Sequence, residues 1–163
     1  MYDKGQKDWK LILTGGVEVG VGGYIEKLRM MASGYPVEII ESPDFKTLKE
    51  LYGKAKIFWS ASGFNQNEEK DPEKAEHFGI TVVEAMAGGA VPVVFNAGGH
   101  REIIVEGENG FLWQRITELI KKTQGLILDS KKLHNIALNA KKSAEKYSEA
   151  DFENNIVSQI LKK

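Results

Sequence analysis

The sequence predicts a three-layer α/β/α fold with a parallel sheet as its middle layer. Three observations predict it. Apolar runs of strand length alternate with longer segments of helical periodicity. Glycine pairs and the Gly34-Tyr35-Pro36 and Ser42-Pro43-Asp44 clusters mark the changes of period. Strands that alternate with helices pair in parallel, because each helix carries the chain back across the sheet.

The bulk properties agree with this class. At 163 residues, the length suits one domain over 1–163. Apolar residues make up 42% and charged residues 28%, an ordinary globular balance with enough material for a core. The net charge is −1 and the lysines are scattered, which argues against nucleic acid as a partner. There is no cysteine, hence no disulfide and no thiolate ligand. His77, His100 and His134 stand far apart, so no metal site is expected. The opening MYDKGQKDWK is too polar for a signal peptide, and no apolar run approaches the roughly 20 residues of a membrane span. The expected location is cytoplasmic.

Taken in order, Lys10–Thr14 reads as a strand that exits at Gly15-Gly16. The segment TGGVEVGVGG that follows is neither G-x-G-x-x-G in register nor a Walker A loop, since Gly20 precedes Val21 and Gly22. Tyr24, Ile25, Leu28 and Met31 recur at helical spacing and predict a helix over 24–33. Val37–Ile40 is the next strand. Ser42-Pro43-Asp44 starts a helix over 44–54, with Phe45, Leu48, Leu51, Tyr52 and Ala55 as its buried stripe. Ile57-Phe58-Trp59 is a buried strand, followed by a polar loop over 63–75. A helix over 79–88, a buried strand Val91–Phe95, a short helix from His100 and a last strand at Phe111-Leu112 come next. Three helical patterns close the chain from about 115 to 163: Ile116–Ile127, Leu133–Tyr147 and Phe152–Leu161.

The chain is organised around Glu76–Gly99, EHFGITVVEAMAGGAVPVVFNAGG. In open α/β sheets, ligands sit beyond the carboxyl ends of strands, where helix N-termini point. A helix starting near Gly79 offers unpaired amides to an anion, and a glycine lets the backbone approach closely. Glu84, over a turn further on, has two oxygens that can accept the hydroxyls of a vicinal diol such as ribose. Glu76, before the helix, can accept hydroxyls of a second ring. Diol, anion and polyol in a row describe a nucleotide sugar. Acidic residues near a helix start are also favoured by its dipole alone.

The motif E-H-F-G-I-T-V-V-E-A-M-A-G-G, followed by V-P-V-V and N-A-G-G-H-R-E-I-I, resembles the Glu-x7-Glu signature of retaining GT-B glycosyltransferases of the glycosyltransferase 4 group. Glu106–Trp113, EGENGFLW, is similar to that family's following turn and strand. The long link before E-H-F-G-I resembles the subgroup of lipid-linked-oligosaccharide mannosyltransferases. The resemblance implies a Rossmann-like domain, the C-terminal half of a GT-B fold without its first strand-helix unit. It implies metal-free, retaining transfer from a UDP-, GDP- or ADP-sugar, with no cofactor. Glu76 would be the catalytic residue and hold donor-sugar hydroxyls. His77 would add a side-chain contact. Amides near Phe78, Gly79, Ile80 and Thr81 would hold the diphosphate, and Glu84 the ribose. Gly15 and Gly16 would lie near the nucleotide, with Glu41 and Ser42 where the base is read through backbone groups.

The family's strand-helix unit that carries an Arg and a Lys for the diphosphate has no counterpart here, and neither has the acceptor site. The expectation is therefore a donor-binding fragment, inactive alone. Its partner would be an N-terminal acceptor-binding domain in cis or in trans, and any membrane contact would come through that half. A non-catalytic nucleotide-binding subunit of a split enzyme is the alternative. A receiver-like regulatory domain lacks support, because Thr14-Gly15-Gly16 brings no acidic cluster to the first strand's end.

Overall fold

The computed structural model describes residues 8–16, 23–66, 70, 77–151, 153 and 157. Parallel strands alternate with helices, as the periodicity predicts. The elements are β1 (Leu11–Gly15), α1 (Tyr24–Ala32), β2 (Val37–Glu41), α2 (Phe45–Lys54), β3 (Ile57–Ser60), α3 (Ile80–Ala87), β4 (Val91–Phe95), α4 (His100–Ile103), β5 (Phe111–Trp113), α5 (Ile116–Leu128) and α6 (Ser130–Ala144). A 3-10 turn at Glu145–Tyr147 follows α6. The chain divides into two compact units, Met1–Glu50 and Leu51–Lys163, and the division falls within α2.

In the first unit β1 pairs in parallel with β2, from Leu11 opposite Val37 to Gly15 opposite Glu41. The register is closed at its end by Ser42 N–H, which donates to Gly15 O at 2.8 Å. The helix faces here differ from the expectation. Ile25, Leu28 and Ala32 form the half-buried face of α1, whereas Tyr24 and Met31 are exposed. On α2, Leu48, Leu51 and Tyr52 are half-buried and Phe45 is exposed. The physical reason is angular. Leu48, Leu51, Tyr52 and Ala55 already form a closed stripe at three- and four-residue steps, and Phe45 stands in the first turn, ahead of the packed part of the helix.

In the second unit the strands run in parallel in the order β3-β4-β5. β4 is the middle strand, and Val91, Val93 and Val94 are fully buried. Its side chains alternate between two clusters, as the period of a strand requires. Val94 packs with Val82 and Met86 of α3, Ile103, Ile104, and Ala140 and Ala144 of α6. Val91 and Val93 pack with Phe111, Trp113, Leu126 and Ile136. β3 is less buried than expected, because it lies at the edge of this sheet. Trp59 is 37% exposed and donates Nε1–H to Thr123 Oγ1 at 3.0 Å.

Pro92 sits inside β4 although it has no N–H to give. It is fully buried, opposite Phe58. Its ring occupies the space where residue 110 would carry a side chain. A Cβ on Gly110 would lie 2.6 Å from Pro92 Cγ and 2.9 Å from Pro92 O. The loop expected to begin at residue 63 starts with an apolar anchor rather than with purely polar chain. Phe64 packs edge-on to Phe95, with ring centres 5.5 Å apart, and against Trp113 at 5.3 Å. The third C-terminal pattern, Phe152–Leu161, lies outside the described residues apart from residues 153 and 157.

At the start of α5 the Glu118 carboxylate reaches back over the helix N-terminus. It accepts from Gln114 N–H at 2.9 Å and from Arg115 Nε at 3.0 Å. The backbone N–H of Gln114, then the Arg115 side chain, hold the Glu118 carboxyl at about 2, below its ordinary 4.5. A carboxylate with a depressed folded pKa stabilises the protein above the ordinary value, and that contribution fades as pH falls towards the folded one. Thermal melts between pH 6 and pH 2 should therefore show Glu118→Gln losing part of the acid-dependent destabilisation of the wild type below about pH 4.5. Parallel curves for the two proteins would contradict this. Gly110→Ala should lower the urea midpoint by the equivalent of ~1–3 kcal/mol through overpacking against Pro92, and an unchanged midpoint would exclude that contact as a constraint.

Candidate functional site

The N-terminus of α3 is built by glycine. Gly79 caps the helix at φ 94, ψ 44, a left-handed conformation that glycine adopts without strain. It is also short of space, since a Cβ there would lie 3.0 Å from Ile103 Cδ1 and 3.5 Å from His100 Cδ2. Its carbonyl takes the amides of Val82 and Val83 at 3.0 and 3.1 Å. Among the described residues no side-chain hydrogen bond caps the helix. Helix geometry gives the amides of Ile80 and Thr81 no intrahelical acceptor. His77, Phe78, Ile80 and Thr81 are all exposed around this end, where the positive end of the helix dipole lies.

The approach to this helix is fixed by the turn after β4. A Cβ on Gly99 would lie 2.6 Å from Phe78 O and 2.7 Å from His77 O. Only glycine lets Gly98-Gly99 pass beneath those carbonyls. His100, next in sequence, is fully buried. Its Nδ1 lies 2.8 Å from Phe95 O. A carbonyl can only accept, so Nδ1 carries the proton and Nε2 is left as an acceptor. Among the described residues that Nε2 is buried without a partner. Asn109 is 3% exposed and holds the chain beyond α4. Its Nδ2 donates to Ile103 O at 3.0 Å, and its Oδ1 accepts from Val105 N–H at 2.8 Å.

Glu84 lies one turn into α3, half-buried, with its charge felt by the Tyr52 phenol. Burial pushes the Tyr52 phenol up to about 12, and the Glu84 charge adds to the rise. The phenol therefore stays protonated at neutral pH. In sequence, Tyr52 is one member of an apolar stripe; the signal available there was its hydroxyl, which needs a partner when half-buried. His100 carries no such signal, because its burial follows from the Gly98-Gly99 turn.

The first unit brings Gly15, Gly16, Glu41 and Ser42 together at the carboxyl ends of β1 and β2. Gly15 and Glu41 are register partners, and Gly16 follows β1. A Cβ on Gly15 or Gly16 would meet nothing within 4 Å, so their openness is not a packing demand. Ser42 takes φ 44, which is uncommon outside glycine. Glu41 is ion-paired with Arg29 of α1. The stretch between Gly16 and Gly23 and the first glutamate of the motif, Glu76, lie outside the described residues. Among the described residues no cluster of three or more His, Asp or Glu side chains could hold a metal ion, and no helix is long and apolar enough to cross a membrane.

Parallel strands, alternating helices and a glycine-capped helix at their carboxyl side define the C-terminal domain of a GT-B fold. The family of glycosyl transferases group 1 matches residues 3–143, and the chain belongs to it. A Dictyostelium discoideum protein described as GDP-Man:Man(3)GlcNAc(2)-PP-Dol alpha-1,2-mannosyltransferase is 37% identical over 86 residues, 52% of this chain and 17% of that protein. A Xenopus tropicalis protein of the same description is 29% identical over 161 residues, 91% of this chain and 30% of that protein. This chain thus spans less than a third of either relative. Among solved structures, Anabaena HepE in complex with UDP-glucose superposes with a TM-score of 0.75 at 25% identity, over 93% of this chain and 40% of that one. The C-terminal domain of a Francisella tularensis group 1 glycosyl transferase shares the fold, with a TM-score of 0.72 at 23% identity, over 90% and 73% of the two chains.

Replacing Gly99 by alanine should cost ~1–3 kcal/mol, since main-chain carbonyls rather than a flexible side chain stand in the way. Urea unfolding of Gly99→Ala against wild type measures it. Equal midpoints would remove this turn as the support of the α3 N-terminus.

Proposed function

We propose that this chain is the donor-binding domain of a retaining glycosyltransferase. The enzyme would move a sugar from a nucleotide-diphosphate sugar to a hydroxyl of a glycan, lipid or other acceptor. The observation that carries the reading is the pairing of a glycine-capped helix N-terminus with a carboxylate one turn along the same helix. An anion and a vicinal diol are the two groups that a nucleoside diphosphate presents at such a spacing. The family membership supports it, and so do the relatives, one pair described with GDP-mannose and one structure bound to UDP-glucose.

In this reading the amides of Phe78, Gly79, Ile80 and Thr81 hold the diphosphate. Charge that builds on the leaving phosphates during transfer is then met by fixed dipoles that need no reorganisation. Glu84 accepts the ribose hydroxyls. Glu76 holds hydroxyls of the transferred sugar, and His77 contributes a side-chain contact. Gly15, Gly16, Glu41 and Ser42 offer their backbone groups to the nucleotide. Acceptor binding comes from an acceptor-binding domain, in cis or in trans, and the remaining phosphate counter-charge from the strand-helix unit that carries the family's Arg and Lys.

Calorimetric titration of this chain with UDP, GDP, ADP and their hexose conjugates tests the reading. One of the bases should bind, and Glu84→Ala should weaken it about tenfold or more, the worth of a hydrogen bond to a charged group. Equal affinities in the two proteins, or no binding at millimolar concentration, would refute the assignment.

A further inference from the structure

We infer that Tyr147 is a positioning residue for the donor diphosphate: its ring holds Phe78 and so sets the Phe78 amide toward the phosphate remote from the ribose. The inference rests on the donor reading above and deepens it. Its geometry is independent of any ligand. Phe78 stands one residue ahead of the Gly79 cap of α3. Its main chain is held by the turn after β4, where a Cβ on Gly99 would lie 2.6 Å from Phe78 O and 2.8 Å from Phe78 Cα. Its side chain is 46% exposed. Tyr147 meets that ring edge-on, with centres 5.6 Å apart and planes at 76°.

Tyr147 reaches Phe78 because α6 lies against α3. Ala140 and Ala144 of α6 pack with Val82 and Met86 of α3. Ala144 follows Ala140 by four residues and Tyr147 follows Ala144 by three, the spacing that keeps side chains on one helical face. Two alanines thus stand where α3 fills the space, and a tyrosine stands beyond its first turn. The chain around Tyr147 is fixed as well. Ser148 N–H donates to Glu145 O at 3.0 Å and closes the 3-10 turn. Ser148 Oγ accepts from Asp151 N–H at 3.2 Å. Phe78 is therefore held twice, through its main chain by Gly99 and through its ring by Tyr147.

The consequence follows from where the two phosphates lie. In the donor reading the ribose is at Glu84, and the diphosphate runs from there toward the start of α3. The near phosphate meets the amides of Ile80 and Thr81, which belong to the helix and take their direction from it. The remote phosphate meets the amide of Phe78, which precedes the helix and takes its direction from what holds the loop. Amide dipoles stabilise charge best when they need not reorganise. Loss of the Tyr147 ring therefore weakens the grip on the second phosphate and spares the first. The edge-on pair needs a ring and no hydroxyl.

The test titrates wild type, Tyr147→Ala, Tyr147→Phe and Glu84→Ala with GDP and UDP and with GMP and UMP. The expected result is a diphosphate-over-monophosphate preference that falls about threefold to tenfold in Tyr147→Ala, the scale of one aromatic pair, with monophosphate affinity within about twofold of wild type. Tyr147→Phe should keep the preference. Glu84→Ala should weaken all four nucleotides by one factor, since each carries the ribose. If Tyr147→Ala keeps the preference in full while Glu84→Ala weakens binding, the role of Tyr147 is overturned and the donor reading stands. The same holds if wild type binds mono- and diphosphates alike. Equal weakening of both in Tyr147→Ala, or a Tyr147→Phe variant that loses the preference as alanine does, also overturns the inference. If Glu84→Ala binds as wild type does, or wild type binds no nucleotide, the donor reading falls and takes the inference with it. A ligand-free measurement separates local loosening from a variant that does not fold. By NMR, the amide order parameter of Phe78 should fall in Tyr147→Ala and recover in Tyr147→Phe, while those of Val93 and Val94 stay at the wild-type level. An unmoved Phe78, or a fall that spreads through β4, overturns the inference.

Discussion

The second unit depends on main chain meeting main chain where no Cβ fits. Gly99 passes beneath the carbonyls of His77 and Phe78, and Gly88 stands against the main chain of Tyr52. These two contacts lie at the two ends of α3, a helix of eight residues. A helix that short is unstable alone in water, because nucleation is costly and too few bonds follow it. Tertiary contact must hold it, and here it is pinned before its first turn and after its last. Everything the site offers hangs on that helix: the amides at its start and the carboxylate one turn along.

The clamped helix needs a wall behind it, and β4 supplies that wall. Its valines are buried on both faces, which suits a parallel strand covered on either side. Such a strand tolerates little polarity, so the polar groups near it are bound locally. Asn109 satisfies one carbonyl and one amide beyond α4. Thr123 takes the indole N–H of Trp59. Pro92 is accommodated because Gly110 leaves room for its ring. Among the described residues Asn96 Oδ1, Trp113 Nε1 and His100 Nε2 are the exceptions, buried without a partner, while the other His100 nitrogen is bonded to Phe95 O. A buried orphan polar atom costs free energy unless something else in the structure requires it. The His100 ring lies against Gly79, at the cap of α3.

Rigidity and exposure are distributed differently along this one short segment. The backbone from Gly79 to Gly88 is held by packed neighbours, yet Phe78, Ile80 and Thr81 face solvent. A binding surface for a charged ligand benefits from that division. Amide dipoles stabilise charge best when their orientation is already set and little must rearrange.

The sequence by itself determined the element order, the parallel class of the sheet and the glycine-capped start of α3. Those are local properties. Periodicity marks strands and helices, and the Glu-x7-Glu register with its glycines marks the motif. It also determined the burial of β4, because Val91–Phe95 is a continuous apolar run between turns. It misjudged Phe45 as buried, because helical spacing says which residues share a face and not how far the covering layer extends. The close approach of Tyr52 to Gly88 was decided only by the tertiary structure, since the two are 36 positions apart (88 − 52 = 36) in sequence. The burial of His100 was decided there too, by a turn that only a glycine at 99 can make. Both contacts are set by how closely two backbones approach, and a linear pattern of side chains does not carry that distance.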